Sequence, residues 1–546
     1  SHRQPMPIDM KNALPSPCLL AAVALASATM LQLPAAAQPA PTAAVAPAQA
    51  PTFAVKGFRL NGENPLGEAM SAQLLASYVR PDATLETLQQ AASALETALR
   101  DKGYGLHRVS LPPQNVGDTV QLNIVHFTVA SVKVEGATLH DEANILRSLP
   151  DLQVGTTPNF KRLAVQTAIA NENQGKQIQL AVKESTESDK VDANILVKES
   201  RLWNLTAGIN NNGSASTGRD RFTVAATHTN VLKLDHQLSV AYTTSLEHPS
   251  SVKQVGVSYR APFYSLGGVL GASYTRSDVV GSFGGFTSTG AGHTAGVNYT
   301  HYLVPQKGYR SYVTFGLDDK VFNPSQLNGS PIVGQMVRRS RQLALSYAAR
   351  HDADRSLLSY NVDLATNVAG GEGNNLLAYQ SEDPRISTAR WKALRGNVSY
   401  VSSLPGNWQW SVRSGMQYSP DALIAGEQFG LGGVASVRGT AERPIAGDRG
   451  LSTALEVSTP ELISGLRLLG FVDAGWLSNT NPNGASKPGS DSLASTGLGL
   501  RYGTQWATVG VDYGHVVKGS VVPQTLNSIA PKKGDQKLHV NLTAKF

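Results

Sequence analysis

Charged side chains, cysteine and long apolar runs are all scarce in this 546-residue chain. Asp, Glu, Lys and Arg make up 16% of the residues, whereas an ordinary soluble protein contains about 25%. This value argues against a coiled coil and against a highly charged disordered chain. The formal net charge of +7 is small for the length, and no long basic run is present, so no nucleic-acid partner is indicated.

The single cysteine, Cys18, excludes a disulfide scaffold and any metal site built from cysteines. The histidines are scattered, and the chain contains no His-Glu-x-x-His, Gly-x-Ser-x-Gly or Gly-Lys-Ser/Thr pattern. Residues 430–435 match Gly-x-Gly-x-x-Ala, but the strand–turn–helix context of a dinucleotide site is missing. We therefore expect no catalytic residue, no metal and no cofactor, and the protein is not predicted to be an enzyme.

Residues 1–37 have the order of a secretory signal peptide. Met10-Lys-Asn provides a basic start, an apolar stretch covers 19–33, and Ala35-Ala-Ala provides a cleavage site. The apolar stretch is too short and too rich in alanine to serve well as a membrane anchor, which is the alternative. Residues 38–52 are rich in proline and alanine and are predicted to form a flexible linker.

Residues 53–200 contain one order of elements twice. In the first copy, over 53–126, a strand is followed by two helices and two strands, and the copy over 127–200 repeats that order. The long helix predicted over 84–102 carries apolar residues at steps of three and four, which form one stripe: Leu85, Leu88, Ala92, Leu95 and Leu99. Duplicated small modules in an exported protein are usually binding modules, and simple spacers are the alternative.

From residue 201 onward, short runs of alternating apolar and polar residues replace the helical period. No apolar run after residue 38 approaches the ~18 residues that a spanning helix requires. Tyrosine often closes a run, as at Tyr242, Tyr259 and Tyr513, which is typical of aromatic girdles at a membrane interface.

The segment 201–546 therefore fits a transmembrane antiparallel β-barrel with a polar interior better than a soluble sandwich or propeller. Its length suits about sixteen strands, and fourteen or eighteen fit almost as well.

The last ten residues show the clearest alternation. Leu538, Val540, Leu542 and Phe546 point to one face of a strand, and the residues between them are mostly polar. A strand that ends at an aromatic C-terminus resembles the signal that barrel-assembly machinery reads in outer-membrane proteins. We expect the chain to contact that machinery during its biogenesis.

A glycine-rich segment that contains Arg438 extends from Phe429 through Gly450. It is too long and too rich in arginine for a lipid-facing strand, so we interpret it as a connection that folds back into the lumen. Downstream, Asp473 lies on a predicted strand, where facing lipid would be costly. Either a bulge or a covering protein segment relieves that cost, or the strand turns Asp473 to the lumen and Val472 to lipid. A buried Arg438–Asp473 pair would make the carboxylate tolerable, and Arg438 on a solvated outer loop is the alternative.

Four motifs together resemble the TpsB transporters of two-partner secretion, the haemolysin and filamentous-haemagglutinin secretion/activation family. They are Lys102-Gly-Tyr with Ser110–Asn115, Val191-Asp-Ala, Val437-Arg-Gly-Thr440 and Phe471-Val-Asp-Ala-Gly475. The resemblance covers residues 53–546. It implies two periplasmic α+β POTRA domains, 53–126 and 127–200, followed by a sixteen-stranded barrel in the bacterial outer membrane over 201–546.

The resemblance also implies roles for individual residues. Val437, Arg438, Gly439 and Thr440 form the tip of a pore loop, and Phe471, Asp473 and Gly475 belong to the barrel-wall motif. Asp473 then faces the lumen and forms a salt bridge with Arg438. Thr440 departs from the family pattern, which usually has an aromatic residue at this position. Many relatives also carry a plug helix before the first POTRA domain, for which residues 38–52 are short and rich in proline.

The function implied is that of a monomeric translocase of type V secretion. Its POTRA domains would catch an unfolded TpsA-type exoprotein, such as an adhesin, a haemolysin or a contact-dependent toxin, by strand addition. The barrel, embedded in outer-membrane lipid, would then conduct that chain outward. Two alternatives remain from the sequence. An assembly or insertion factor of the same superfamily usually has more POTRA domains, and a passive porin would not need residues 53–200.

Overall fold

The computed structural model describes residues 51–115, 117–327 and 330–546. The predicted signal peptide, residues 1–37, and almost all of the predicted linker, residues 38–52, lie outside the described residues. In the described ranges, no helix is both long enough and apolar enough to cross a membrane.

The first N-terminal module is a three-stranded sheet with two helices packed against it. Its elements are β1 (Gly57–Asn61), α1 (Glu68–Leu75), α2 (Leu85–Asp101), β2 (His107–Ser110) and β3 (Thr119–His126). β3 lies in the centre, parallel to β1 and antiparallel to β2. Helix α2 begins at a capping box formed by Thr84 and Thr87. Most of its predicted apolar stripe is buried in the module, but Leu85, in the first turn, is exposed.

The second module repeats this order with a central strand of its own. Its elements are β4 (Thr128–Glu135), α3 (Glu142–Arg147), α4 (Phe160–Asn171), β5 (Lys176–Glu184) and β6 (Lys190–Glu199). β6 lies parallel to β4 and antiparallel to β5. The hydrophobic core of this module includes Tyr264, Val269 and Tyr302, which come from the barrel. The second module and the barrel therefore share one core.

A buried ion pair lies at the same interface. Lys176 Nζ is 2.6 Å from Asp235 Oδ2, and the two side chains are 0% and 2% exposed. Asn144 accepts a second hydrogen bond from Lys176, and the hydroxyl of Tyr264 donates to Asp235. Asp235 and Lys233 have positive φ in the tight turn that carries them. The second module thus fixes an otherwise strained turn of the barrel.

The strands after the second module run in chain order as follows: β7 (Trp203–Asn210), β8 (Arg221–Val231), β9 (His236–Thr244), β10 (Lys253–Phe263), β11 (Gly268–Ser277), β12 (Gly281–Phe283), β13 (Phe286–Ser288), β14 (Gly292–Tyr302), β15 (Tyr309–Phe322), β16 (Gln326–Leu327), β17 (Ser330–Pro331), β18 (Arg338–Ala353), β19 (Ser356–Asn367), β20 (Lys392–Ser403), β21 (Gln409–Tyr418), β22 (Phe429–Leu431), β23 (Ile445–Gly447), β24 (Arg449–Ser458), β25 (Leu466–Ser478), β26 (Ser490–Gly503), β27 (Ala507–Lys518) and β28 (Gln536–Lys545). One short helix, α5 (Leu376–Gln380), lies between β19 and β20.

Sixteen of these strands close into an antiparallel barrel, as expected from the sequence. The other six form three short hairpins within connections: β12 with β13, β16 with β17, and β22 with β23. Aliphatic side chains such as Leu345, Leu364 and Leu498 point outward and are exposed. Exposed aromatic residues flank them, with Trp203 and Tyr502 at the end near the N-terminal modules and Tyr242 and Trp476 at the far end. This is the surface of a barrel that crosses a membrane.

Closure joins the C-terminal strand to the first barrel strand. β28 pairs with β7 over five residue pairs, from Asn541 with Asn210 to Lys545 with Thr206. The side chain of Asn211 extends this pairing, since it donates to the carbonyl of Leu538 and accepts from the N–H of Val540. Leu538, Leu542 and Phe546 are exposed on the outside, in line with the predicted alternation.

The connections at the near end are short, and several at the far end are long. One of the far-end connections, residues 419–448 between β21 and β24, contacts inward-facing side chains of the barrel wall. We refer to residues 419–448 as the lumenal loop.

Candidate functional site: the lumenal loop

The lumenal loop is a narrow hairpin that ends in a compact tip. Leu431 of β22 pairs with Ile445 of β23, and the tip lies between them. Gly432 has φ +108°, and a Cβ there would come within 2.4 Å of Pro444 Cδ. Gly433, the next residue, also has a positive φ. The glycines of this segment therefore permit a reversal of the chain direction that residues with a side chain could not make without strain.

Apolar side chains anchor the tip against the barrel wall. Val437 is completely buried together with Leu431 and Ile445 of the loop and Leu477 and Leu493 of strands β25 and β26. These contacts remove apolar surface of the loop from water, which stabilises its position in the lumen.

Arg438 and Asp473 form a buried, two-pronged ion pair. Arg438 Nε lies 2.8 Å from Asp473 Oδ2, and Arg438 Nη2 lies 2.8 Å from Oδ1. The backbone N–H of Arg438 also donates to Asp473 Oδ2, at 3.0 Å. The two side chains are 1% and 0% exposed. Such fork-to-fork geometry fixes both position and orientation of the guanidinium.

Two further carboxylates share Arg438. Its Nη1 donates to Glu456 Oε2 at 2.8 Å and lies 3.7 Å from Asp512 Oδ1. Asp512 in turn is held by Arg501 on β26. The site thus contains the guanidinium groups of Arg438, on the loop, and Arg501, on β26, together with three carboxylates on β24, β25 and β27. Attraction between these opposite charges makes buried charge tolerable.

Phe471 supplies an aromatic face to the same guanidinium. The Arg438 Cζ atom lies 3.5 Å from the centroid of the Phe471 ring, which is a cation–π arrangement. Phe471 is 4% exposed, whereas Val472 is 54% exposed. Phe471 and Asp473 therefore face the lumen and Val472 faces lipid. The pairing of β25 with β24 and β26 is regular through Asp473, so no bulge is involved.

Gly475 and Gly439 allow the loop to approach the wall. A Cβ on Gly475 would come within 2.1 Å of Leu431 Cδ1, so the loop occupies the space above this glycine. Gly439 has φ +89°, and its N–H donates to His539 Nε2 at 3.0 Å.

Thr440, which departs from the family pattern, is buried within the tip. Its hydroxyl accepts from the N–H of Gly433 and donates to the carbonyl of Val437, both at 2.8 Å. At this position the chain thus has a threonine whose hydroxyl forms hydrogen bonds within the tip, in place of an aromatic ring.

Sequence reasoning missed two charged clusters that hold the stem of the loop. Glu427 is buried with Lys320 at 3.2 Å and Arg395 at 2.9 Å. Asp448 is buried with Arg385 at 3.1 Å. The sequence signals were Glu427 as a lone charge in a largely uncharged run and Asp448 next to Arg449, and neither indicates which distant residue is the partner.

Comparison with known proteins decides the family. Residues 189–502 match the model of the haemolysin secretion/activation proteins ShlB/FhaC/HecB, which is more than half of the chain. The chain belongs to this family. Residues 53–126 match the POTRA domain of ShlB type.

Individual relatives agree with this assignment. The chain is 21% identical over 484 residues to the outer membrane transporter CdiB of Dickeya dadantii (strain 3937), covering 85% of this chain and 83% of the relative. It is 20% identical over 451 residues to the heme/hemopexin transporter protein HuxB of Haemophilus influenzae (strain 86-028NP), covering 79% and 77%. The solved structure of CdiB from Escherichia coli has the same fold, with a TM-score of 0.71 at 18% identity over 93% of both chains.

As a member of this family, the protein is an outer-membrane transporter of two-partner secretion, as the sequence predicted. Its POTRA-bearing N-terminal part lies in the periplasm. The near end of the barrel is therefore the periplasmic end, and the long connections at the far end are extracellular.

Proposed function

We propose that residues 53–126 and 127–200 are two POTRA domains that receive an unfolded TpsA-type exoprotein, and that the barrel over 201–546 exports it past the lumenal loop. The observation that carries this proposal is the buried Arg438–Asp473 pair, because it holds a loop of the chain within the lumen that the exoprotein must cross. The protein acts as a monomer in outer-membrane lipid, without a catalytic step.

The first sheet offers one open edge for strand addition. The N–H of Gly57 donates to the Asp118 carbonyl, so alternation turns the main-chain groups of Phe58 and Leu60 toward the free edge of β1. Within residues 51–115, 117–327 and 330–546, no main-chain or side-chain group pairs with that edge.

The opposite edge of the sheet is occupied by side chains. On β2, the N–H of Val109 donates to Glu96 Oε2 at 2.9 Å, and the carbonyl of His107 accepts from Arg108 Nη1 at 3.0 Å. Such capping of an edge strand opposes the addition of another chain. We therefore assign the capture of the exoprotein to β1.

A groove runs beside β1. It has a volume of about 670 Å³ and lies between β1 and α1, with Phe58, Leu60 and Leu75 among its lining residues. An extended chain that adds to β1 would place alternate side chains in this groove, which is the usual basis of affinity and specificity in strand addition.

The lumen beside the loop is suited to an extended chain in transit. A cavity of about 560 Å³ lies between the loop and the wall, and its lining includes Ser359, Asn361, Asn397, Ser399 and Ser414. These uncharged groups can form hydrogen bonds with any peptide backbone. Arg350 and Arg413 line the same cavity.

The proposal is tested by comparing a strain that lacks this protein with its parent, by mass spectrometry of the culture medium and the cell surface. Loss of one large exoprotein, with other outer-membrane proteins unchanged, is the expected result and identifies the partner as an adhesin, a haemolysin or a toxin. A joint decrease of several barrel proteins would instead show an assembly factor. No change in either would indicate a passive pore.

A further inference from the structure

The tip of the lumenal loop also contacts the last two strands of the barrel. The N–H of Gly439 donates to the imidazole Nε2 of His539, on β28, at 3.0 Å. His539 is 3% exposed and faces the lumen, opposite to the lipid-facing Leu538. The tip therefore spans the wall from β25, where Asp473 lies, to β28.

The bond to Gly439 is the one hydrogen bond that the His539 side chain makes within the described part of the chain. Nδ1 is buried and has no partner there. A neutral imidazole that accepts at Nε2 carries its proton at Nδ1. Among the described residues, the loop therefore supplies the one hydrogen bond that orients this buried ring.

Gly514, on β27, makes room for this contact. A Cβ on Gly514 would lie 2.5 Å from the nitrogen of Gly439, and a Cβ on Gly439 would lie 2.8 Å from the carbonyl carbon of Gly514. The two backbones thus meet where any side chain on either residue would separate them.

We infer that His539 and Gly514 are positioning residues for the loop tip and form a second seat, separate from the Asp473 carboxylate. Asp473 fixes the guanidinium of Arg438, while His539 and Gly514 fix the backbone one residue further on. The consequence for secretion rests on the proposed role of the lumenal loop, but the position of the tip can be measured directly.

The test uses the full-length protein with Cys18→Ser and Val437→Cys, because Val437 is completely buried while the tip is docked. His539→Phe retains a ring but removes the acceptor, and His539→Gln retains an acceptor. Maleimide labelling at position 437 is expected to accelerate roughly tenfold in His539→Phe, the scale expected when a buried N–H loses its acceptor. His539→Gln is expected to remain close to the parent. Equal labelling in the parent and His539→Phe would overturn the inference.

Two glycine-to-alanine substitutions provide an independent test. Gly514→Ala is expected to accelerate labelling as well, because its Cβ would displace the tip. Gly503→Ala is the matched control, since a Cβ at this barrel glycine meets nothing within 4 Å. Equal labelling in the two alanine variants would contradict the inference. Labelling is compared between variants at equal amounts of the protein at the cell surface, so that a variant that fails to assemble is recognised.

Secretion is measured in the same variants. Faster labelling with a loss of secretion supports both the second seat and the proposed role of the loop. Faster labelling with normal secretion supports the second seat and contradicts the role of the loop in export.

Discussion

Arg385, in an extracellular connection, donates from Nη1 to Asp448 Oδ2 at 3.1 Å, where the lumenal loop rejoins the barrel wall. Their side chains are 2% and 0% exposed. Asp448 also accepts from the backbone N–H groups of Leu423 and Thr480. This carboxylate therefore joins the loop to two extracellular connections, and its contacts must break if the whole loop leaves the lumen.

Replacement of Arg385 tests this junction. Arg385→Ala leaves the buried Asp448 without its cation, which typically costs about 3–5 kcal/mol. We expect more frequent and longer open events in planar lipid bilayers. Arg390→Ala, an exposed arginine of the same connection, is the control. Identical single-channel records for the two variants would show that the junction does not restrain the loop.

The geometry at Arg438 predicts that a positive charge alone at this position is insufficient for secretion. Arg438→Lys keeps the charge but cannot bind both Asp473 oxygens and Glu456 at once. We expect secretion to fall at least roughly tenfold with normal surface levels, and Arg438→Ala to abolish most of it. Arg413→Lys is the control, because Arg413 faces the lumen but its side chain makes no hydrogen bond to the described residues. This variant should secrete normally. Normal secretion by Arg438→Lys would contradict a role for the two-pronged pair.

The interface between the second module and the barrel predicts that a second substitution reverses the effect of the first. Lys176→Met leaves the buried Asp235 carboxylate without its cation, with an expected cost of about 3–5 kcal/mol. Hydrogen–deuterium exchange of the turn 232–235 should accelerate strongly. Adding Asp235→Asn should restore protection, because asparagine tolerates the positive φ at this position. Lys183→Met, in an exposed lysine of the same strand, should change nothing.

The buried carboxyl of Glu199 predicts that the second module is sensitive to acid. Burial raises the pKa of this carboxyl, but hydrogen bonds from the Leu139 and His140 backbones and from Thr138 outweigh it and lower the pKa to about 2. Because the pKa is lower when folded, this stabilisation is complete above about pH 4.5 and is lost as the pH falls toward 2.

Pepsin digestion of the full-length protein between pH 5 and pH 2.5 measures this loss. Cleavage within residues 127–200 should rise as the pH falls. Glu199→Gln cannot ionise, so its cleavage relative to the parent should be raised at pH 5 and converge with the parent near pH 2.5. A constant ratio between the two proteins across this range would contradict the assignment.

The groove beside β1 predicts a capture defect when it is filled. Ala72→Trp places a large side chain in the groove, and Gln73→Trp places one on an exposed position of α1 that does not line it. Cross-linking of the exoprotein to the first POTRA domain should decrease only in Ala72→Trp. An equal decrease in both variants would indicate a general effect on α1.

The alternation of apolar and polar residues predicted the barrel because each strand has one face toward lipid. The apolar stripe of α2 predicted the buried side of that helix. Leu85 fell outside that core because it is the first residue of the helix, where the chain enters from solvent. The two-residue period of a strand could not show which of Phe471 and Val472 faces lipid, since both are apolar.

Contacts across the lumen could not be predicted from spacing. His539 lies 100 residues beyond Gly439, and Glu427 lies 107 residues beyond Lys320. Which inward-facing residues meet depends on the strand number and the register of every intervening pair, and the sequence left the strand number open. The residues alone left two possibilities open, a buried Arg438–Asp473 pair and a solvated Arg438. The resemblance of the motifs around both residues to a family pattern made the pair the preferred prediction.

The five-pair closure between β28 and β7 has a kinetic consequence. Asn211 and Val540, which meet there, are separated by 329 positions. A contact between residues so far apart is slow to form by diffusion of a free chain, and no partial chain can form it. Every earlier pairing is local by comparison, so the barrel should accumulate as an open, curved sheet whose final step is the meeting of its two ends. Substitutions at Asn211 would then slow the maturation of the protein more than they weaken the finished barrel.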